Sequence, residues 1–189
     1  MEEKKSKKWM GYIWNGLFLL VILILLIPSW RIKFQSTIQR LFITSVKLED
    51  KASEAINIAP NEWVIYDINN EPISFHELGN KPIILNFWAT WCPSCIAELP
   101  SLYEFYDAIK NDAHVIAVST ESIKQLDEFG AFDKYPGMIY RAKHTIAKFD
   151  FSVYPTTFIM GPDFRIISKI EGAENFATEH NINFIKQLK

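Results

Sequence analysis

The chain has 189 residues, of which 49% are hydrophobic and 14% aromatic, and its formal net charge is −2. This length suits one domain with an appendage better than two complete domains. Residues 1–50 carry eight basic and four acidic side chains, whereas residues 51–189 carry twelve and eighteen. An acidic main domain without a basic stripe argues against nucleic acid as the principal partner. The two cysteines, Cys92 and Cys95, are too few for a framework of several disulfide bonds.

An uncharged segment occupies residues 9–30, after four lysines at positions 4, 5, 7 and 8. As a helix it would extend about 33 Å, enough for a hydrocarbon core of about 30 Å. Tryptophans lie near both of its ends, as in the aromatic belts of membrane proteins. We therefore expect a short basic cytoplasmic tail at 1–8 and a transmembrane signal-anchor helix at 9–30. A cleaved signal peptide is disfavoured, because Pro28-Ser29-Trp30-Arg31 offers no small-x-small cleavage site.

Basic residues also set the expected orientation. The lysine cluster before the segment is denser than the basic residues after it, which favours a cytoplasmic amino terminus. Residues 31–189 are then extracytoplasmic, on the periplasmic side of a bacterial inner membrane. Phe34, Ile38, Leu41 and Phe42 recur at helical spacing, which indicates an amphipathic helix. That helix either lies on the outer membrane surface or packs its apolar face on the domain, so residues 31–60 are expected to be an amphipathic stalk and linker.

Residues 61–189 alternate strand and helix patterns. The expected strands are 63–68, 82–88, 115–118, 137–140, 156–160 and 165–170. The expected helices are 95–110, 122–132, 144–149 and 175–188. The last two strands should form a hairpin across Gly161-Pro162-Asp163. This order predicts an α/β sandwich, with a mixed central β-sheet flanked by helices.

The residues that carry chemistry are Cys92-Pro93-Ser94-Cys95, which follow an apolar strand and begin a helix. Free N–H groups and the helix dipole stabilise a thiolate at the first cysteine, and such sites lower a thiol pKa from about 8.5 toward roughly 3.5–7.5. Two intervening residues bring Cys95 beneath Cys92, close enough for a reversible disulfide. Pro93 suits the first helical turn, where its missing N–H does little harm.

Other uses of a cysteine pair are less consistent with this sequence. A zinc site would need two more ligands, but the four histidines are scattered. A c-type haem attachment would need histidine directly after Cys95, where Ile96 stands. A structural disulfide stays open as an alternative, although so short a loop restricts the unfolded chain little. No metal and no organic cofactor is therefore expected.

Several motifs together carry a family resemblance. They are residues 85–95 (LNFWATWCPSC), Glu98, Pro100, residues 154–158 (YPTTF) and residues 171–173 (EGA). With these motifs, residues 61–189 resemble the thioredoxin superfamily, and more closely its membrane-anchored TlpA/ResA-like branch of thiol–disulfide oxidoreductases. A CxxC alone is weak evidence, but WCxxC after an apolar strand, with a distant Pro-Thr before another strand, is specific.

The resemblance implies a role for each matching residue. Cys92 would be the exposed attacking thiolate and Cys95 the buried resolving thiol. Pro155 would belong to a cis-proline loop that faces the two sulfurs, and Tyr154 would pair with an extended substrate segment. The candidate substrate-binding residues are therefore Trp91, Pro93, Tyr154 and Pro155.

Two positions distinguish this sequence from ordinary thioredoxins. Asn86 stands on the central strand where many thioredoxins have a buried aspartate. Glu98 lies one helical turn beyond Cys95, as in the ResA-like pattern, and the i, i+3 spacing places both residues on one helix face. A carboxylate there could accept the proton of the resolving thiol or disfavour a thiolate by like charge. The alternative is an ordinary solvated glutamate.

The resemblance implies an extracytoplasmic enzyme that reduces protein disulfides by dithiol exchange. Its expected partners are cysteine-containing proteins, with apocytochrome c as one substrate in cytochrome c maturation, and a membrane thiol electron donor. The lipid bilayer is expected to hold its N-terminal helix. Two alternatives stay open: a peroxiredoxin-like thiol peroxidase, and an anchored binding module that has kept the motif without catalysis.

Overall fold

The computed structural model describes residues 3–49, 59, 62–78 and 80–188, with side chains from residue 9 onward except at 24, 25, 28, 29, 75 and 76. The helices are α1 (Glu3–Leu26), α2 (Pro28–Arg40), α3 (Pro93–Ile109), α4 (Ile123–Phe129), α5 (Ala131–Lys134) and α6 (Glu179–Gln187), with a 3-10 helix at Phe75–Leu78. The strands are β1 (Thr44–Ser45), β2 (Val64–Tyr66), β3 (Pro72–Ser74), β4 (Ile83–Phe87), β5 (His114–Ser119), β6 (Ile139–Ala142), β7 (Thr156–Met160), β8 (Ile166–Glu171) and β9 (Glu174–Asn175).

The main sheet has seven strands in the order β3-β2-β6-β5-β4-β7-β8. β4, β5 and β6 are parallel, whereas β7 runs antiparallel to β4 and β8 antiparallel to β7. At the other edge, β2 is antiparallel to both β3 and β6. The mixed α/β sandwich expected from the sequence is therefore confirmed, and so is the hairpin of β7 and β8.

The central strand β4 is buried along its whole length and directs alternate side chains to two separate cores. Leu85 and Phe87 enter one core, where Phe149, Phe158 and the Leu78 side chain also pack. Ile84 and Trp88 enter the other core together with α3 and α6. Asn86 lies between Ile84 and Trp88 in this alternation. It therefore points toward α3, the helix that begins at the cysteine motif.

The N-terminal segment is divided into two helices rather than continuing as one. α1 ends at Leu26, Ile27 has an extended backbone, and Pro28 begins α2. A proline at the first helical position fits this start, because that position needs no intrahelical N–H bond. Among the described residues, no helix combines the length and apolar character needed to cross a membrane.

α2 packs along α3, but not through the apolar stripe seen in the sequence. Ser36 is buried, whereas Phe34 and Ile38 are exposed and Leu41 and Phe42 are 80% and 78% exposed. Of the two alternatives for this helix, the one in which its apolar face packs on the domain is therefore wrong, and contact with the membrane surface stays a prediction. Small side chains allow two helices to approach closely, and the Ser36 hydroxyl is satisfied by the Lys33 carbonyl at 3.0 Å.

The segment after α2 is joined to the domain at residues 44–48. β1 pairs in parallel with β9. Asn181 accepts a hydrogen bond from the Leu48 N–H at 2.9 Å and donates one to the Val46 carbonyl at 3.0 Å. Leu48 itself is buried in the core. Part of the predicted stalk and linker thus packs on the domain, while the linker residues 50–58, 60 and 61, like residues 1 and 2 of the predicted tail, lie outside the described residues.

Three sequence-based helix predictions need correction. The helix expected at 122–132 is divided at Gly130, whose φ is 71°, into α4 and α5. Residues 144–149 form a turn instead of a helix, because Trp63 Nε1 donates to the His144 carbonyl at 2.7 Å and Phe149 is buried. The final helix begins at Glu179 instead of 175, because residues 174–175 form β9 and the Thr178 side chain caps the helix. In addition, β3 was not predicted at all.

Candidate active site

The two cysteines form a disulfide at the amino end of α3. The S–S distance is 2.12 Å, the Cα–Cα distance is 5.3 Å and the Cβ–Sγ–Sγ–Cβ dihedral angle is 79°. Cys92 is the N-cap of the helix, and its Sγ accepts a hydrogen bond from the Cys95 N–H at 3.2 Å. Pro93 occupies the first helical position, as the sequence predicted, and is half-buried.

Cys92 is less accessible than expected. It is only 4% exposed, and Cys95 is 0% exposed, so the expectation of an exposed Cys92 is wrong for the disulfide form. The physical reason is that its sulfur is bonded to Cys95 and lies 3.3 Å from the Ser94 hydroxyl. Cys92 is nevertheless the cysteine closer to the surface.

The loop that contains Pro155 lies against the start of α3. The Tyr154–Pro155 peptide bond is cis, as the resemblance implied, and Pro155 is buried. The Ser94 hydroxyl donates to the Tyr154 carbonyl at 3.4 Å, and the Pro155 carbonyl accepts from the Gly172 N–H at 2.9 Å. The cis-proline loop is thus joined both to the cysteine motif and to the end of β8.

Trp91 and Tyr154 form an aromatic surface next to the disulfide. Trp91 is 57% exposed, and its ring meets that of Tyr154 edge-on, with centroids 5.5 Å apart. The rings of Phe151 and Tyr154 are perpendicular, with centroids 5.3 Å apart. A cleft of about 530 Å³ begins here, lined in part by Thr120, Phe149, Phe151 and Tyr154. The structure therefore brings together Cys92, Trp91, Tyr154 and Pro155, whose roles in substrate binding stay predictions.

Glu98 is buried on the inner face of α3, with an exposed fraction of 1%. Its Oε2 accepts a hydrogen bond from Asn86 Nδ2 and its Oε1 one from the Glu174 N–H, both at 2.9 Å. Burial raises the pKa of Glu98 from its usual value of 4.5 to about 8, although the two hydrogen bonds lower it in part. The alternative of an ordinary solvated glutamate is wrong.

Asn86 connects Glu98 to the strand that follows the cis-proline. Its Nδ2 donates a second hydrogen bond, to Thr157 Oγ1, at 2.8 Å. Its Oδ1 is buried and has no hydrogen-bond partner among the described residues. Where many thioredoxins have an aspartate, this chain therefore has a neutral amide that donates to a carboxylate on the facing helix.

Three contacts of the site were not predicted from the sequence. They are Ser94 with the Tyr154 carbonyl, Thr157 with Asn86, and Thr90 with Glu121. The Glu121 carboxylate accepts hydrogen bonds from the Thr90 N–H and hydroxyl, directly before the cysteine motif. A signal for this contact existed, because Glu121 follows a predicted buried strand. Its use required knowing that β5 lies next to β4.

Comparison with known proteins agrees with this geometry. The AhpC/TSA family matches residues 54–169. The thiol-disulfide oxidoreductase ResA of Bacillus subtilis (strain 168) is 28% identical over 135 residues, which cover 68% of this chain and 74% of that protein. A ResA of Bacillus cereus is 30% identical over 125 residues, which cover 61% of this chain and 69% of that protein.

A solved structure also matches the fold of this chain. The crystal structure of StoA from Bacillus subtilis matches with a TM-score of 0.52 and 25% sequence identity, covering 67% of this chain and 94% of that one. The chain therefore belongs to the AhpC/TSA family and, within it, to the ResA thiol–disulfide oxidoreductases, which makes it a redox enzyme with a thioredoxin-like fold.

Proposed function

We propose that the protein reduces disulfide bonds of other proteins through Cys92 and Cys95. The observation that carries this proposal is the Cys92–Cys95 disulfide at the start of α3, facing the cis-proline loop. The aromatic surface of Trp91 and Tyr154 and the adjacent cleft offer a place for a substrate segment beside Cys92.

The reaction is a pair of thiol–disulfide exchanges. The Cys92 thiolate attacks one substrate sulfur, an S–S bond forms between them, and the other substrate sulfur leaves as a thiolate that takes up a proton. Cys95, on losing its proton, attacks the Cys92 sulfur, re-forms the internal disulfide and releases the second substrate thiol. The substrate gains two electrons and two protons, which the protein dithiol loses. A membrane thiol donor then reduces the protein again.

Our proposal places this reaction outside the cytoplasm, with the chain held to a bacterial inner membrane by its first 30 residues. The uncharged segment 9–30 and the preceding lysines support this location. So does the exposure of large apolar side chains along α1, at Phe34 on α2, and at Leu41 and Phe42 directly after α2. A cysteine-containing apoprotein such as apocytochrome c is the substrate we propose, in cytochrome c maturation.

Reduction of insulin by the full chain tests the catalytic part of the proposal. With dithiothreitol as electron source, the wild type is expected to accelerate insulin precipitation well above the uncatalysed rate. Cys92→Ser should reduce insulin no faster than dithiothreitol alone, because the attacking sulfur is absent. Glu104→Gln, an exposed change on the same helix, is the matched control and should resemble the wild type.

The same preparations separate the two alternatives. A thiol peroxidase would consume hydrogen peroxide in a Cys92-dependent manner while leaving insulin intact. A binding module would do neither. Either result would contradict protein disulfide reduction as the function of this chain.

Protease accessibility tests the proposed location. In a bacterial host, protease added to intact spheroplasts is expected to degrade residues 31–189, because the lysine cluster holds the amino terminus inside. A cytoplasmic marker protein must survive the same treatment. Protection of the domain in sealed spheroplasts, with degradation only after lysis, would show that the orientation is reversed.

A further inference from the structure

The strand order places one acidic residue beside the loop that carries Cys92. β4 and β5 are parallel neighbours, with Phe87 opposite Val118. The loops that follow parallel strands emerge at the same edge of the sheet. Residues 89–92 follow β4, and Glu121 lies just beyond the end of β5. These two loops therefore meet.

Glu121 is bound to its surroundings through both its side chain and its backbone. Its Oε2 accepts from the Thr90 N–H at 2.7 Å and its Oε1 from the Thr90 hydroxyl at 2.6 Å. The Ser119 hydroxyl donates to Oε2 at 3.0 Å, and Arg141 Nε donates to the Glu121 carbonyl at 3.1 Å. Hydrogen bonds to a carboxylate are stronger than those between neutral groups. Glu121 is thus fixed by β5 and β6 and in turn holds the loop after β4.

This contact lies at the centre of a short, tightly bonded turn. The Trp88 N–H donates to the Val118 carbonyl at 3.1 Å, and the Cys92 N–H to the Ala89 carbonyl at 3.2 Å. Thr90 lies between these two bonds, two residues before Cys92. Its bonds to Glu121 therefore determine how the chain enters α3.

The loop that carries Glu121 also reaches the other half of the site. The neighbouring Thr120 lines the same cleft as Tyr154. Burial raises the pKa of Tyr154, and the Glu121 charge raises it further. Residues 119–121 thus lie next to both the Cys92 loop and the cis-proline loop.

We propose that Glu121 is a positioning residue, whose carboxylate holds Thr90 so that Cys92 stays poised to re-form its bond to Cys95. The proposal deepens the dithiol exchange described above and rests on it. Without the contact, the loop of the reduced protein would sample more conformations. The effective concentration of one thiol at the other would then fall, and the disulfide would become easier to reduce.

Equilibration of the full chain with glutathione redox buffers measures this effect directly. For Glu121→Ala we expect the equilibrium constant for disulfide formation to fall about tenfold, since both charge-assisted hydrogen bonds to Thr90 are lost. Glu121→Gln keeps an oxygen acceptor for the Thr90 N–H but loses the charge, and it should recover most of the loss. Glu128→Ala removes an exposed carboxylate from α4 and should leave the constant unchanged.

Thr90→Val completes the test, because it removes the hydroxyl and keeps the backbone N–H. Its effect should be smaller than that of Glu121→Ala, and the two effects should not add in the double variant, as expected for residues that share one contact. The proposal would be overturned if Glu121→Ala kept the wild-type equilibrium constant for disulfide formation. It would also be overturned if the effects of Glu121→Ala and Thr90→Val added in the double variant. If Glu121→Ala does not fold, an unchanged constant in Thr90→Val overturns it alone.

The glutathione equilibrium depends only on the cysteine pair and on no protein substrate. The two proposals can therefore fail separately. If the wild type does not reduce insulin but the equilibrium constant changes as described in Glu121→Ala and Glu121→Gln, the proposed function is contradicted and the role of Glu121 is supported. If the wild type reduces insulin but no variant changes the equilibrium constant, the proposed function is supported and the role of Glu121 is contradicted.

Discussion

Replacing Cys95 with alanine is expected to trap natural partners on Cys92 as mixed disulfides. Cys95 is fully buried beneath Cys92, which lies at the helix start beside the exposed Trp91. A partner sulfur therefore meets Cys92 first, and only Cys95 can release it by internal attack. Cys95→Ala keeps the first exchange and removes the second, so insulin reduction should fall to the uncatalysed rate while covalent complexes accumulate.

Non-reducing gels of membranes from cells that express the variant measure the trapping, and mass spectrometry of the shifted bands identifies the partners. Cys92→Ala is the matched control, because the cysteine that it leaves, Cys95, is buried. This variant should trap few partner proteins. Complexes that form only with Cys92→Ala would reverse the roles of the two cysteines, and complexes with neither variant would favour the binding module.

The parts of the fold that could be predicted from the sequence are those set by local patterns. β4 is predicted by its short apolar run, and the hairpin of β7 and β8 by Gly161-Pro162-Asp163 between two strand patterns. The start of α3 is predicted by the cysteine motif with proline at the first helical position. Each of these signals depends on a few neighbouring residues, which is why they are confirmed.

The predictions that are wrong concern residues whose structure is set by contacts with distant parts of the sequence. Residues 174–175 have helical spacing in the sequence but pair with β1, a strand about 130 residues earlier. Residues 144–149 are drawn into a turn by the Trp63 indole and the buried Phe149. The outward direction of the α2 stripe likewise reflects how α2 packs on α3. Local periodicity does not contain these contacts.

The site divides in the same way. Cys92, Cys95 and Glu98 could be predicted from the family resemblance together with their spacing along one helix. The partners that give Glu98 its properties could not, because Asn86 and the Glu174 N–H come from β4 and β9. The spacing placed the carboxylate, and only the tertiary structure reveals that it is buried.

Burial of Glu98 should make the stability of the folded protein depend strongly on pH. The pKa of Glu98 is raised to about 8 in the folded protein, from its usual value of 4.5, so the folded state binds this proton more tightly than the unfolded state. Stability from this group is therefore complete below about pH 4.5 and is lost as the pH rises through 8. At roughly 1.4 kcal/mol per pH unit, the loss is at most about 5 kcal/mol.

Glu98→Gln removes this dependence, because the amide does not titrate. Gln cannot accept from both Asn86 Nδ2 and the Glu174 N–H as the carboxylate does, so the variant also carries a pH-independent cost of about 1–3 kcal/mol. The slope of stability against pH is therefore the informative quantity, and the absolute stability is not. Urea unfolding of the oxidised wild type and variant between pH 5 and 8.5 measures this slope.

The oxidised form is used because the disulfide removes both thiols from the titration. Histidines and exposed carboxylates contribute equally to both proteins, and Glu104→Gln, an exposed change on the same helix, should retain the wild-type slope. Glu98→Gln should lose less stability than the wild type as the pH rises, and in the reduced enzyme it should flatten the pH dependence of exchange. Parallel stability curves for Glu98→Gln and the wild type would mean that the pKa of Glu98 stays near its usual value of 4.5 in the folded protein. With so low a pKa, the carboxylate would be too weak a base to hold the proton that Cys95 must lose before it attacks Cys92.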